Sequence, residues 1–238
     1  MPDVVLAPAK LTRSLRITGI RADGYHLIDA EMVAVDLADT LVFAAGDGLA
    51  LNGAGPEVPS DDRNLVRRAL LAAGRTAMVE VTKRIPSGAG LGGGSADAAA
   101  VLRWAGVRDV EVAASLGADV PFCVRGGRAR VTGVGEVVEP LPFEARAFTL
   151  VTSPVHCSTV EVYRRWDELG GPTGTGDNDL EPAALDVAPE LARWRDVLGD
   201  ASGAVPTLAG SGGTWFVEGE FPGPGRVVVN TLPAFADG

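Results

Sequence analysis

The chain has 238 residues, enough for one large domain or two small ones, and its 46% hydrophobic and 22% charged content is that of an ordinary globular protein. A formal net charge of −10 argues against nucleic acid or an anionic membrane as partner, so a phosphorylated ligand has to be held by local donors. The two cysteines, Cys123 and Cys157, supply neither a disulfide framework nor a metal-ligand spacing, and no apolar run has the length of a signal peptide or a membrane span; a cytoplasmic protein with reduced thiols is expected.

In chain order, Val4–Ala7 is a short apolar strand leading to Pro8-Ala9-Lys10. Leu11–Ile17 alternates as a second strand, with Arg13 falling on its apolar side. Arg21-Ala-Asp-Gly24 is turn chemistry, and Tyr25-His26 opens an extended run to about Val35. Leu37–Phe43 and Gly48–Leu51 continue the sheet, and Leu65–Ala73 reads as a helix behind the loop Ser60–Asn64. Met78–Ile85 alternates as a strand, Ala96–Trp104 is a run of helix formers, and Arg108–Leu116 is a short helix. Cys123–Arg125 and Arg128–Thr132 read as strands around a Gly126-Gly127 turn. A second half opens with the strand Phe148–Thr152 and the helix Thr159–Leu169. After a glycine break at Gly170–Gly176 order resumes at Asn178–Glu181, followed by a helix over Pro189–Leu198. Val205–Ala209, Gly213–Val217 and Arg226–Asn230 complete the strands.

The chemistry centres on Ile85–Trp104, where strand, glycine loop and helix meet. Gly88, Gly90, Gly92, Gly93 and Gly94 lie just before the helix. Helix N-termini present unpaired N–H groups and the positive end of the dipole, and glycine lets a phosphate approach the backbone. Ser95 and Asp97 stand where a side chain can cap the helix. A Walker loop is excluded because its lysine position is Gly94. Gly88-x-Gly90-x-x-Gly93 with Glu111 beyond it formally satisfies a dinucleotide fingerprint, which requires Val107–Val112 to be a buried parallel strand; its alternating charges suit a half-exposed surface instead.

Pro86-Ser-Gly-Ala-Gly-Leu-Gly-Gly-Gly-Ser-Ala-Asp-Ala-Ala99 resembles the second signature motif of the GHMP kinases. Two other stretches resemble the same superfamily in the right order: the opening APAKLTRSLRITGIRADGYH, and Ala209-Gly-Ser-Gly-Gly-Thr214 as the third motif. Arg-Ala-Asp-Gly-Tyr-His is characteristic of its cytidine-recognising branch. The resemblance implies an α+β GHMP kinase fold. Its N-terminal half, residues 1–145, is the ribosomal-protein-S5-like ATP-binding domain, and residues 146–238 form the ferredoxin-like C-terminal domain. It also implies ATP and magnesium (Mg2+) as cofactors, and a small cytidine-bearing alcohol as phosphoryl acceptor.

The site residues are carried over motif by motif. Lys10 is the catalytic lysine and Asp119, in Gly-Ala-Asp-Val-Pro-Phe, the general base. Pro86, Gly88, Gly90, Leu91, Gly92, Gly93, Gly94, Ser95 and Ala96 cradle the nucleotide with Asn64, and Ser95 is also the magnesium ligand. Thr12, Tyr25 and His26 contact the acceptor, with Tyr25 suited to stacking on a pyrimidine and His26 to bonding its edge. His156 is the only other histidine, which leaves no histidine-rich metal site. Asn178–Glu181 matches a structural phrase. The sequence departs from the pattern at Thr12, where asparagine is typical, at Arg13-Ser14, where apolar residues are usual, at Ala96, where serine is common, and in a short Val155–Asn178 segment. Three other readings are a GHMP kinase for a different small alcohol, a nucleotide-dependent oxidoreductase, and a non-catalytic relative.

Overall fold

The structure, a computed structural model, describes residues 2–53, 58–155, 157–172 and 176–236. His156 and the middle of the Gly170–Gly176 break lie outside the described residues.

Two long strands, β1 (Asp3–Ile20) and β2 (His26–Ala44), pair antiparallel across the Arg21–Gly24 turn. The sequence suggests two shorter strands in each place. The interruptions are in fact register shifts within continuous strands, between Pro8 and Lys10 and between Thr12 and Ser14. Pro8 fits because β1 pairs with β2 alone, so its missing N–H interrupts no second ladder. β3 (Gly48–Asn52) runs parallel to β4 (Met78–Thr82), with α1 (Leu65–Ala72) between them in sequence. Then come α2 (Gly93–Ala105), α3 (Val110–Leu116), α4 (Val120–Arg125), β5 (Arg128–Gly133) and β6 (Val137–Pro140). The first sheet runs β3-β4-β2-β5-β6, with β1 also on β2.

One local expectation fails in this half. Cys123–Arg125 is not a strand but the end of α4, which has Asp119 as N-cap and Pro121 in its first turn. Proline there is preset for a helix start, while an apolar run this short does not reveal its period. The helix expected over Arg108–Leu116 forms from Val110 on, so Val107–Val112 is not the strand that the dinucleotide reading requires. Asp109 accepts hydrogen bonds from the N–H groups of Glu111 and Val112 and so starts α3. With no parallel strand after the glycine loop, the dinucleotide-fold reading is lost.

The second sheet, ordered β10-β7-β9-β8, is antiparallel and built from β7 (Ala147–Thr152), β8 (Thr207–Leu208), β9 (Thr214–Glu218) and β10 (Val227–Asn230). The intervening helices are α5 (Thr159–Glu168), α6 (Glu181–Val187) and α7 (Leu191–Ser202), of which α6 is absent from the sequence reading. Strand alternation assigns the side chains to two cores. Phe148, Leu150 and Phe216 face the core of the first sheet, whereas Val151, Trp215 and Val217 face the helices α5–α7. The second sheet is therefore buried on both faces, one against each half. Asp179 reinforces the join, accepting from Ile17 N and Arg16 Nη1, each at 2.9 Å.

Candidate active site

The glycine loop and helix form as read, but α2 begins at Gly93, ahead of the helix formers. Gly92 is the N-cap, left-handed at φ 69°, and no side chain caps the helix. Ser95 and Asp97 are thus not caps; they lie inside the helix. The first internal bond is Ala96 N to Gly92 O at 2.8 Å, which leaves the N–H groups of Gly93, Gly94 and Ser95 without helical acceptors. They border a cavity of about 900 Å³. The helix can sit this deep because Ala96, Ala98, Ala99 and Ala100 give it a narrow, fully buried body. Pro86, Gly88, Gly90, Gly92, Gly93, Gly94 and Ser95 line the cavity. Leu91 and Ala96 do not: both are core side chains, and Leu91 contributes its carbonyl, which accepts from Lys10 N at 3.1 Å.

Lys10 enters the same cavity from β1. Its Nζ lies 3.4 Å from Asp119 Oδ2 and donates to Thr12 Oγ1 at 3.0 Å. The ammonium is almost wholly buried, whereas the Asp119 side chain is 30% exposed and open to a ligand. Although Asp119 is the α4 N-cap residue, its carboxylate makes no capping bond. The register shifts around Ala9 and Arg13 set this stretch of β1 in place. A Cβ on Gly92 would come within 2.8 Å of Lys10 Cγ, so only glycine fits beside the lysine. The Ala209–Thr214 loop closes in from the second sheet. A Cβ on Gly90 would meet Ala209 O at 2.2 Å, and one on Gly213 would meet Gly88 O at 2.7 Å. The two glycine loops therefore interlock, and Gly210 sits beside Lys10 Nζ. Asn178 secures the second loop, its amide donating to Leu208 O at 2.8 Å and Gly210 O at 2.6 Å.

Under the first loop lies an ion triad that sequence reasoning missed. Lys83 Nζ bridges Asp39 Oδ2 at 2.5 Å and Asp97 Oδ2 at 2.6 Å, all three side chains being buried. Asp39 also accepts from the N–H groups of Arg84 and Ile85, so β2, the end of β4 and α2 are fixed to one another where the glycine loop starts. Asp97 keeps one oxygen without a partner. Burial raises its pKa to about 7; Lys83 counteracts this shift and Asp39 adds to it.

The remaining wall has two ends. Asn64 borders the cavity, but its amide serves the fold, accepting from Val66 N at 2.8 Å as the α1 cap and donating to Pro59 O at 2.6 Å. Toward the other end stand Tyr25 and His26, joined by Thr159, Tyr163 and Asp167 of α5. His26 Nε2 is 2.8 Å from Asp167 Oδ1, and its ring lies 4.8 Å from that of Tyr163. Tyr25 is 61% exposed, with Arg21 Cζ 5.4 Å from its ring centroid. Tyr163 is an aromatic wall that the sequence reading did not single out. Its one signal was the helical spacing that puts it one turn after Thr159.

The residues present fit a magnesium ion held chiefly by its substrate. The Ser95 hydroxyl faces the Gly117–Asp119 turn, since a Cβ on Gly117 would lie 3.9 Å from Ser95 Oγ. Ser95 and Asp119 both line the cavity that the helix N-terminus borders. Among the described residues no cluster of three or more His, Cys, Asp or Glu could hold a metal unaided. Magnesium needs none, because it commonly takes its other ligands from water and phosphate.

Comparison with known proteins agrees with this geometry. Residues 64–127 match the model of the GHMP kinases N terminal domain. A 4-diphosphocytidyl-2-C-methyl-D-erythritol kinase of Ruegeria pomeroyi is 38% identical, over 92% of this chain and 89% of the relative. The enzyme of that name from Paracoccus denitrificans is also 38% identical, over 88% and 84% respectively. A crystal structure of 4-(cytidine 5'-diphospho)-2C-methyl-D-erythritol kinase superposes with a TM-score of 0.76 at 30% identity, covering 96% of this chain and 99% of that one. A mevalonate kinase structure reaches a TM-score of 0.60 at 14% identity, a likeness of fold alone. By fold, motif order and near-full-length similarity, the chain belongs to the 4-diphosphocytidyl-2-C-methyl-D-erythritol kinases of the GHMP superfamily.

Proposed function

We propose that the chain transfers the γ-phosphoryl group of ATP to the 2-hydroxyl of 4-diphosphocytidyl-2-C-methyl-D-erythritol, a step of isoprenoid precursor synthesis. The observation that carries this reading is the Lys10–Asp119 pair, 3.4 Å apart, beside an unpaired helix N-terminus in a cavity with an aromatic far end. The N–H groups of Gly93, Gly94 and Ser95 bind the phosphates, offsetting the unfavourable net charge locally. Ser95 is the residue that would hold magnesium, with water and phosphate as the other ligands, and the ion would neutralise phosphate charge when bound. Lys10, braced by Thr12, fixes the acceptor hydroxyl and screens the charge gathering on the transferring group. Asp119 takes the hydroxyl proton as the new oxygen–phosphorus bond forms and the bond to the β-phosphate bridging oxygen breaks, releasing ADP. Phosphoryl transfer asks mainly for alignment, so where the carboxylate is placed matters more than how strong a base it is.

Tyr25, His26 and Tyr163 provide the cytidine end. Such remote binding aligns the hydroxyl as well as adding affinity, so losing it lowers rate and affinity together. Tyr25→Ala is expected to weaken the acceptor by about 1–3 kcal/mol, the range for stacking of a base on an aromatic ring, with ATP affinity near normal. Methylerythritol phosphate, which lacks the cytidine, should be a very poor acceptor. Steady-state kinetics with both acceptors test this. Equal use of the two by the wild type would remove the cytidine site from the account.

A further inference from the structure

Arg13 interrupts the apolar alternation of β1 at the register shift between Thr12 and Ser14. Its Nη1 lies 2.5 Å from Glu31 Oε1, its Nη2 3.5 Å from Glu218 Oε2, and its Cζ 5.6 Å from the ring centroid of Phe148. Glu31 also takes Arg128 Nε at 2.9 Å, and Arg128 in turn pairs with Glu144. Glu144 pairs with Arg146 Nη2 at 3.2 Å, and Arg146 Nη1 returns to Glu218 at 2.7 Å. These six side chains close a ring of alternating charge. Burial alone would raise the Glu31 carboxyl, but Arg128 and Arg13 outweigh it and hold its pKa below the usual range, as expected for a working member of such a ring.

The ring straddles the seam between the sheets. Arg13, Glu31 and Arg128 stand on β1, β2 and β5, whereas Glu144 and Arg146 precede β7 and Glu218 ends β9. The first group has two guanidiniums to one carboxylate and the second the reverse, so the two sides attract. A lone exposed ion pair contributes little, but here each guanidinium is shared between two carboxylates, which restricts both partners. Arg13 adjoins Thr12 in sequence and lies on the same strand as Lys10. Glu218 ends the strand that follows the Ala209–Thr214 loop, the loop that reaches Lys10.

We infer that Arg13 is a positioning residue: through this ring it sets the Lys10 strand against the second sheet, and so aligns the acceptor hydroxyl without touching either substrate. The inference rests on the kinase reading above. It separates two quantities. The nucleotide loop is fixed by the Lys83 triad and by its backbone interlock with the Ala209–Thr214 loop, neither of which involves the ring, so nucleotide affinity does not need the ring; alignment of the Lys10 strand does.

Arg13→Met keeps an aliphatic stem over Phe148 and removes both ion pairs. It should lower kcat about tenfold, as small misplacements do, while ADP affinity by calorimetry stays within about twofold of wild type. Arg13→Lys, which can serve one carboxylate at a time, should fall between. Raising salt from about 50 to about 500 mM should lower kcat in the wild type more than in Arg13→Met, because only the wild type has the ring to screen. Should Arg13→Met fail to fold, Glu218→Gln opens the ring from the other side and should show the same pattern. Wild-type kcat in a folded ring-breaking variant would overturn this inference alone. A wild type inactive on every acceptor would remove the kinase reading and this inference with it.

Discussion

Asp119→Asn should lower turnover by roughly 10²–10⁴, the usual share of a general base, while both substrates still bind. The amide keeps the shape of the carboxylate but cannot take the proton. Lys10→Met should also lower turnover strongly, for a different reason. Lys10 Nζ is held by Thr12 at 3.0 Å and faces Asp119 at 3.4 Å, so its loss removes both the nearest positive charge and the group that orders the acceptor. The double variant should be little worse than the poorer single one, because residues acting as a unit are non-additive. Single-turnover rates and calorimetric affinities separate chemistry from binding. Near-wild-type turnover in both single variants would refute the mechanism.

The second large effect is expected at Gly92→Val. Gly92 holds φ 69° as the α2 N-cap, and a Cβ there would come 2.8 Å from Lys10 Cγ. A branched side chain is strained in that conformation, pushes on the lysine and stands where phosphate must approach the backbone. ATP affinity should fall at least about tenfold, or about 1.4 kcal/mol, with affinity for the cytidine compound nearly unchanged. Turnover falls too, because Lys10 moves. Unaltered ATP affinity in a folded variant would take the glycine loop out of the site.

The sequence disclosed what is local. Strand, glycine loop and helix follow one another within Met78–Ala105, and their chemistry is that of contiguous residues. The Lys10–Asp119 pairing is separated by more than a hundred residues, and only the resemblance joined it. What stayed hidden depends on contact through space. Tyr163 reads as an ordinary helical residue until α5 packs beside His26. Lys83 looks like a surface lysine at a strand end, yet folding buries it between Asp39 and Asp97. Arg13 looks like an error of alternation in β1, whereas five other charges distributed from β2 to β9 give it its place. Short elements failed for another reason: α4 has six residues and α6 seven, too few for a period to show.

The central claim is acceptor identity, and an ATP-consumption assay with magnesium tests it most directly. The wild-type protein would be offered 4-diphosphocytidyl-2-C-methyl-D-erythritol, mevalonate, homoserine and galactose separately, with product analysis for the phosphorylated hydroxyl. The account predicts rapid ADP formation with the cytidine compound, phosphorylated at its 2-hydroxyl, and little above background with the other three. Efficient phosphorylation of mevalonate, homoserine or galactose, with indifference to the cytidine compound, would contradict it.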